Sequence, residues 1–306
     1  MIAVVGSINM DMVVNVNSIP RIGETVLGDD ALRVPGGKGA NQAVTIAKLG
    51  GEVALIGAVG TDPTGEFLLD SIKKSGVDTH HVVKKSKALT GMAFVIVDNK
   101  GDNIITVTPG ANFHLAPMDI ENNCSVLQSA KIVLVQMEIP IQTVQKTLEV
   151  AKAYGKTTLL NPAPATQFDH RLYSLVDILT PNKTELEFLS GMKADTNDEI
   201  LKACETLYAK GISTIIVTLG SKGSFLFDSN GGEFIPAVHV TAVDSTAAGD
   251  AYNAALAFYL AQPNKERSIR EAAQFASLAG ALTVTKVGAQ PSLPTAKELE
   301  AFWKSL

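Results

Sequence analysis

Short apolar runs alternating with helix-period stretches set the rhythm of this chain. Ile2 to Val5 is a continuous apolar run closed by Gly6, the pattern of a strand buried on both faces. From Val53 onward the alternation is regular. Strand-like runs fall at 53–57, 131–136, 157–161, 177–180, 214–218 and 223–227, with helical stretches at 63–74, 141–154, 185–189 and 199–210. Repeated β–α units with apolar strands predict an α/β fold, a mostly parallel sheet with helices on both faces. Ligands of such sheets bind beyond the carboxyl ends of the strands. The polar residues just past those ends are Asn9 and Asp11, Glu138, Asn161, Asn182, and Thr218 with Gly220, so the pattern places them on one rim.

Two regions break the alternation. Residues 12–34 hold strand-like pieces at 12–16 and 24–27, interrupted by Pro20, Gly23 and Gly28, and residues 91–108 read as a hairpin with a polar turn at 98–101. Together they predict a small β lid or subunit-contact sheet inserted into a single domain spanning 1–306. A third feature is the polar, small-residue turn at 243–250, which runs into an almost wholly apolar helix at 251–260.

Composition narrows the partners. A hydrophobic content of 46% over 306 residues suffices for a sizeable core. A net charge of −5 without long like-charge blocks argues against nucleic acid as a partner. Cys124 and Cys204 lack metal-type spacing, which points to a reducing, cytoplasmic setting. The first residues enter a strand at once without a basic leader, and no apolar run is long enough to span a membrane.

The turn at 243–250 carries the most chemistry. Ala247, Ala248 and Gly249 have little side chain, so their N–H groups at a helix mouth form an anion site. Asp250 at its lip is either a general base beside a transferring phosphoryl group or a helix N-cap. Asn9 and Asp11, two apart in an extended segment, share a side and suit sugar hydroxyls, or form a polar strand exit. Gly36, Gly37 and Gly39 allow close approach of backbone to a ligand before a helix at 44–49, with Lys38 and Asn41 pointing into the same space; no Ser or Thr follows the lysine, so this is not a Walker A loop. Glu138 is a ligand contact or an acid near a helix N-terminus. Glu185, in Asn182-Lys183-Thr184-Glu185, either holds a hydrated Mg²⁺ or caps a helix. The turn at 218–223 covers a nucleotide or is a hairpin, and the loop at 284–292 is rich in carbonyls of the kind that coordinate a cation.

These motifs, in this order and over nearly the whole chain, resemble the PfkB (ribokinase-like) family of carbohydrate kinases. The resemblance rests on residues 6–11, 36–43, 182–185, 218–223, 244–250 and 288–292. It implies a three-layer sandwich with a small β lid whose strands form a homodimer contact, and transfer of the ATP γ-phosphoryl group to O5 of D-ribose. By the family pattern Asp250 is the catalytic base, and Ala247, Ala248 and Gly249 the anion hole. Asn9, Asp11, Gly37, Lys38, Asn41 and Glu138 would hold the sugar. Asn182, Thr218, Gly220, Ser221, Gly223 and Ser277 would sit on the nucleotide, with Glu185 near Mg²⁺. Asp244, Thr246, Val284, Ala289 and Ser292 would match a K⁺ loop that orders the anion hole. The chain departs from the pattern at Ala251-Tyr252, where Thr-Phe is usual, and at Ser277, where Asn or His is expected. Kinases of the same family acting on 2-deoxyribose, fructose or a nucleoside remain as alternatives, as does a non-catalytic sugar-binding regulator. A nicotinamide dehydrogenase would want Gly-x-Gly-x-x-Gly after the first strand, which is absent.

Overall fold

The structure, a computed structural model, describes residues 1–167, 169–263 and 268–305. The strands are β1 (Ile2–Val5), β2 (Asn9–Asn15), β3 (Leu32–Gly36), β4 (Val53–Gly60), β5 (Val82–Lys85), β6 (Gly91–Val97), β7 (Asn103–Thr108), β8 (Ile132–Gln136), β9 (Thr157–Asn161), β10 (Ile178–Leu179), β11 (Thr214–Thr218), β12 (Ser224–Asp228) and β13 (Gly231–Ile235). The helices are α1 (Lys38–Lys48), α2 (Pro63–Lys74), α3 (Pro117–Asn122), α4 (Cys124–Ser129), α5 (Ile141–Ala153), α6 (Lys183–Ser190), α7 (Asn197–Tyr208), α8 (Ala248–Ala261), α9 (Ile269–Thr283) and α10 (Ala296–Ser305).

Nine strands form the main sheet in the order β13-β12-β11-β10-β9-β8-β1-β4-β5. All pairings from β5 to β11 are parallel, and β12 and β13 close the edge antiparallel. Alternation along β1 explains the layers. Ile2 and Val4 face one side and pack with α1, α2, α8 and α9; Ala3 and Val5 face the other and pack with α3 to α7. Both clusters are buried, so the strands are apolar throughout, as a covered parallel sheet requires. Helix α8 is apolar nearly all round because it lies between the sheet, α1 and α9. Among the described residues no helix is long and apolar enough to cross a membrane.

The second sheet has four strands in the order β3-β2-β6-β7. The hairpin expected at 91–108 is present as β6 and β7. The other half differs from expectation. Residues 24–27 form no strand, and Leu27 there is 91% exposed; pairing next to it is confined to an isolated antiparallel bridge between Gly28 and Val16. The partner of β2 is β3, in antiparallel register from Asn9↔Gly36 to Val13↔Leu32. The sheet also begins at Asn9 rather than at residue 12, which carries the two rim residues Asn9 and Asp11 onto its first strand.

Candidate active site

Helix α1 begins at Lys38, six positions before the helix expected from the apolar run. Its first turns are small and polar rather than apolar because they pack against backbone. Gly39 lies so close to β1 that a Cβ there would sit 2.5 Å from the Gly6 carbonyl carbon. Gly37 caps the helix at φ 89°, and a Cβ on it would lie 2.6 Å from the Asn9 nitrogen. The early start places Lys38, Asn41, Gln42 and Thr45 at i, i+3, i+4 and i+7, one polar stripe on the face turned to the site.

Helix α8 meets this stripe head on. Its N-cap is Ala247, which at φ 61° is the non-glycine residue with positive φ among the described residues. Such a conformation costs on the order of 1 kcal/mol and must be held by its surroundings. Asp250 is therefore in the first turn and not at the cap. Its carboxylate accepts from Asn41 Nδ2 at 2.9 Å and from Gln42 Nε2 at 3.0 Å. The choice between base and N-cap thus falls against the cap. The Ala248 N–H turns back to Ser245 O at 3.3 Å, whereas the N–H groups of Gly249 and Asp250 meet no acceptor among the described residues. Those orphan donors open into a cavity of about 210 Å³, lined among others by Lys38, Asn182, Glu185, Ala247, Gly249 and Asp250.

Charge is concentrated in the cavity, at Lys38, Glu185 and Asp250, and just behind its lining, at Asp11 and Glu138. Burial pushes the Asp250 carboxyl above its ordinary value, opposed by Lys38 and by the hydrogen bonds from Asn41 and Gln42. Burial, with Glu138 and Asp250 nearby, pushes Asp11 up to about 7. Desolvation works against the Lys38 ammonium, but Asp250, Glu138, Glu185 and Asp11 outweigh it and hold its pKa above the usual lysine value. Glu138 lies before the cap of α5 but meets the N-terminus of α1: it accepts from Ser7 Oγ at 2.5 Å and from the Lys38 N–H at 3.3 Å, with Lys38 Nζ at 3.9 Å, so the acid near a helix N-terminus and the ligand contact are compatible.

Asn182 and Glu185 close a reciprocal capping box at the start of α6, Asn182 Oδ1 accepting from Glu185 N and Glu185 Oε2 from Asn182 N. Both also line the cavity, so capping and ligand contact are compatible here. Burial raises the Glu185 carboxyl, which favours a cation beside it. Thr218 lines the cavity too; Gly220 and Ser221 stand on an exposed 3₁₀ turn, and Gly223 returns the chain into β12. The Tyr252 hydroxyl donates to Ser224 Oγ at 3.2 Å and lies near Ser277 on α9. The two departures from the family pattern, Tyr252 and Ser277, therefore meet each other.

The expected cation loop is a closed hydrogen-bonded unit. Asp244 accepts from Thr246 N at 2.9 Å and Gly288 N at 2.8 Å. Val284 O accepts from Val243 N and Asp244 N, and Ala289 O from the N–H and hydroxyl of Ser292. Burial opposes the charge on Asp244, but the bonds from Thr246 and Gly288 outweigh it and hold its pKa below the ordinary value.

Several site residues carried no sequence signal of their own. Gln42 links Asp250 to Asn161 Oδ1 at 3.2 Å and accepts from Gln136 Nε2 at 2.5 Å. Asn253 donates to Gly249 O at 2.8 Å and accepts from Thr180 Oγ1, bracing the mouth of α8. The polar spacing within α1 and the Gly249–Asn253 step of four within α8 were the legible traces of both.

Residues 1–296 match the model of the pfkB family of carbohydrate kinases. The chain belongs to that family. Among members of the pfkB family, a ribokinase of Haemophilus influenzae is 39% identical over 301 residues, 98% of this chain and 97% of the relative. A deoxyribokinase of Salmonella typhi is 36% identical, with 98% of each chain covered. The solved structure of Arabidopsis thaliana ribokinase complexed with ribose and ATP superposes with a TM-score of 0.90 at 32% identity, covering 99% of this chain and 98% of that one.

Proposed function

We propose that this protein is an ATP-dependent sugar kinase that phosphorylates D-ribose at O5, giving D-ribose 5-phosphate and ADP. One observation carries the reading: a buried carboxylate, Asp250, held by two amide donors at the mouth of a helix whose Gly249 and Asp250 N–H groups are free beside a polar cavity. Phosphoryl transfer needs alignment, charge neutralisation and a base, and this arrangement offers each. Asp250 takes the proton of the attacking hydroxyl. Of the N–H groups at 247–249, that of Ala248 is already taken by Ser245 O, so those of Ala247 and Gly249, joined by Asp250 and backed by the α8 dipole, stabilise the negative charge of the transferring group. Asn9, Asp11, Gly37, Lys38, Asn41 and Glu138 hold the sugar; Asn182, Thr218, Gly220, Ser221, Gly223 and Ser277 form the nucleotide side.

Two ions belong to the proposal. Mg²⁺ keeps most of its waters and needs few carboxylates, so Glu185 on the cavity wall suits it; it supplies charge neutralisation on the phosphates. The oxygen-rich set of Asp244, Thr246, Val284, Ala289 and Ser292 suits K⁺, and the ionised Asp244, tied to both 246 and 288, would couple that ion to the turn preceding Ala247. The lid sheet forms the contact of a homodimer, and the setting is cytoplasmic.

The test is ADP release with ATP and Mg²⁺, with and without K⁺, over ribose, 2-deoxyribose, fructose and adenosine. Preference for ribose with K⁺ stimulation is expected. The relationship to the Salmonella deoxyribokinase supports 2-deoxyribose as the second reading, since losing one hydroxyl alters few contacts. Turnover of fructose or adenosine in preference to both pentoses would refute the assignment of substrate.

A further inference from the structure

The chain passes from the main sheet to the lid sheet through Ile8, between β1 and β2. A single side chain from a distant 3₁₀ turn (Gly110–His114) holds this crossing. Asn112, 1% exposed, accepts from the Ile8 N–H with Oδ1 at 2.9 Å and donates from Nδ2 to Ile8 O at 3.1 Å. It thus treats Ile8 as a neighbouring strand would. The same Nδ2 donates to Asn9 Oδ1 at 2.7 Å.

The direction of these bonds is fixed by chemistry. A backbone N–H only donates, so the Asn112 atom facing Ile8 N is its oxygen, and the atom facing Ile8 O and Asn9 is its nitrogen. A nitrogen that donates requires an acceptor, so Asn9 turns its oxygen toward Asn112. Its own NH₂ must then point away. Among the described residues no acceptor takes that NH₂, and it is not sealed from solvent. Gly91, paired with Asn9 across β6, leaves room for the amide pair: a Cβ there would lie 2.3 Å from both Asn112 Nδ2 and Asn9 Oδ1.

We propose that Asn112 is a positioning residue that sets the Asn9 amide so that Asn9 presents a hydrogen-bond donor to the substrate. The inference rests on the reading of this rim as a sugar site. Its consequence is a polarity rule along β2: the sugar atom opposite Asn9 accepts, as a hydroxyl or ring oxygen can, whereas Asp11, two residues on, presents an acceptor to a hydroxyl that donates. A hydroxyl-bearing substrate meets both demands.

The experiment is a double-mutant cycle with Asn9→Ala, Asn112→Asp and the pair, read as KM for sugar and for ATP on the sugar of the four-member panel that the wild type binds best. Asn112→Asp loses the donors to Ile8 O and Asn9. It is expected to raise the sugar KM about tenfold, the scale of one lost hydrogen bond, with the KM for ATP within about twofold. The pair is expected to be no worse than Asn9→Ala alone, because Asn112 acts through Asn9. Multiplying effects in the pair, or equal rises in both KM values, would overturn the proposal. Should Asn112→Asp not fold, Asn9→Asp retains an acceptor for Asn112 while offering the sugar an acceptor where a donor stood. A sugar KM raised about tenfold or more supports the proposal, and an unchanged one overturns it. Wild-type protein that binds none of the four sugars overturns the sugar reading and this inference with it, whereas a wild type that binds sugar with multiplying variants overturns this inference alone.

Discussion

At the scale of single residues, the cavity sets the protonation of its carboxylates through burial and proximity, and this has measurable consequences. Replacing Asp250 with Ala removes the group best placed to accept the hydroxyl proton; kcat should fall roughly 10²–10⁴-fold while calorimetry still detects sugar binding. Normal turnover would remove Asp250 from the role of base. Gln42 donates to one oxygen of that carboxylate and thereby favours its charged form. In Gln42→Met the donor is gone and burial acts unopposed at that oxygen, so the acidic limb of the kcat profile should move to higher pH. A limb that stays in place or moves down would contradict this. Asp11 titrates at about 7, raised by burial and by Glu138 and Asp250. Below that pH it carries a proton and loses its strength as an acceptor. The sugar KM should therefore climb by up to about tenfold per pH unit below 7, the KM for ATP should not follow it, and Asp11→Asn should abolish the slope. In the absence of sugar the linkage has the opposite sense. The fold keeps the Asp11 proton from the unperturbed 3.8 up to about 7, where the unfolded chain has lost it, so this group makes the fold less stable as pH rises through that window.

At the scale of elements, the site is made by helix α1 reaching β1 closely enough for its first turn to face α8. Gly39→Ala tests that approach. The added Cβ would collide with the Gly6 backbone, and backbone has nowhere to go between β4 and β8. Thermal or urea unfolding should show a loss of about 1–3 kcal/mol. The displaced Lys38 and Asn41 should raise the sugar KM as well; unchanged stability would mean that α1 has slack at this end. The same close packing explains what was legible in the sequence. The seven inner strands β1, β4 and β8 to β12 of the main sheet and α2, α5, α6 and α7 announce themselves because apolar periodicity reports burial of side chains, whereas the edge strands β5 and β13, largely half-buried or exposed, carry no such run. The start of α1 does not, since residues 39–43 are buried through glycine, alanine and hydrogen-bonded amides rather than through large apolar groups. Strand β3 is hidden for a related reason: Leu32, Arg33 and half-buried Val34 and Pro35 pair through backbone on an open sheet, where no alternation is imposed. The motif residues themselves were readable from type and order, but Gln42, Asn112, Gln136 and Asn253 act on other protein groups. Their side-chain partners lie 73 to 208 positions away, and nothing local in the chain announces such bonds.

At the scale of the whole molecule, the lid sheet has one face without cover. Met10, Met12 and Met92 turn toward the core that contains α1 and α2. In cross-strand register the opposite face brings together Leu32, Val13, Val95, Ile105 and Val107, and Asp11 lies at its inner end beside Ala93 and Val34. Leu32 is 52% exposed and Ile105 56%, a contiguous apolar surface on a sheet that also carries Asp11, the carboxylate proposed to meet the sugar. In the proposed homodimer a second copy of the chain would cover this face by two-fold packing, the same patch on each subunit. The arrangement makes two measurements depend on each other. Sedimentation of the wild type should give twice 32.2 kDa, and Ile105→Arg, which puts a charge in the middle of the patch, should give 32.2 kDa. Because Asp11 shares the face, the monomeric variant should bind sugar more weakly, with nucleotide binding at Asn182 and Thr218 unaffected. A variant that stays dimeric would place the subunit contact elsewhere. One that becomes monomeric yet keeps its sugar KM would separate the contact from the site, and would leave Asp11 positioned by its own sheet alone.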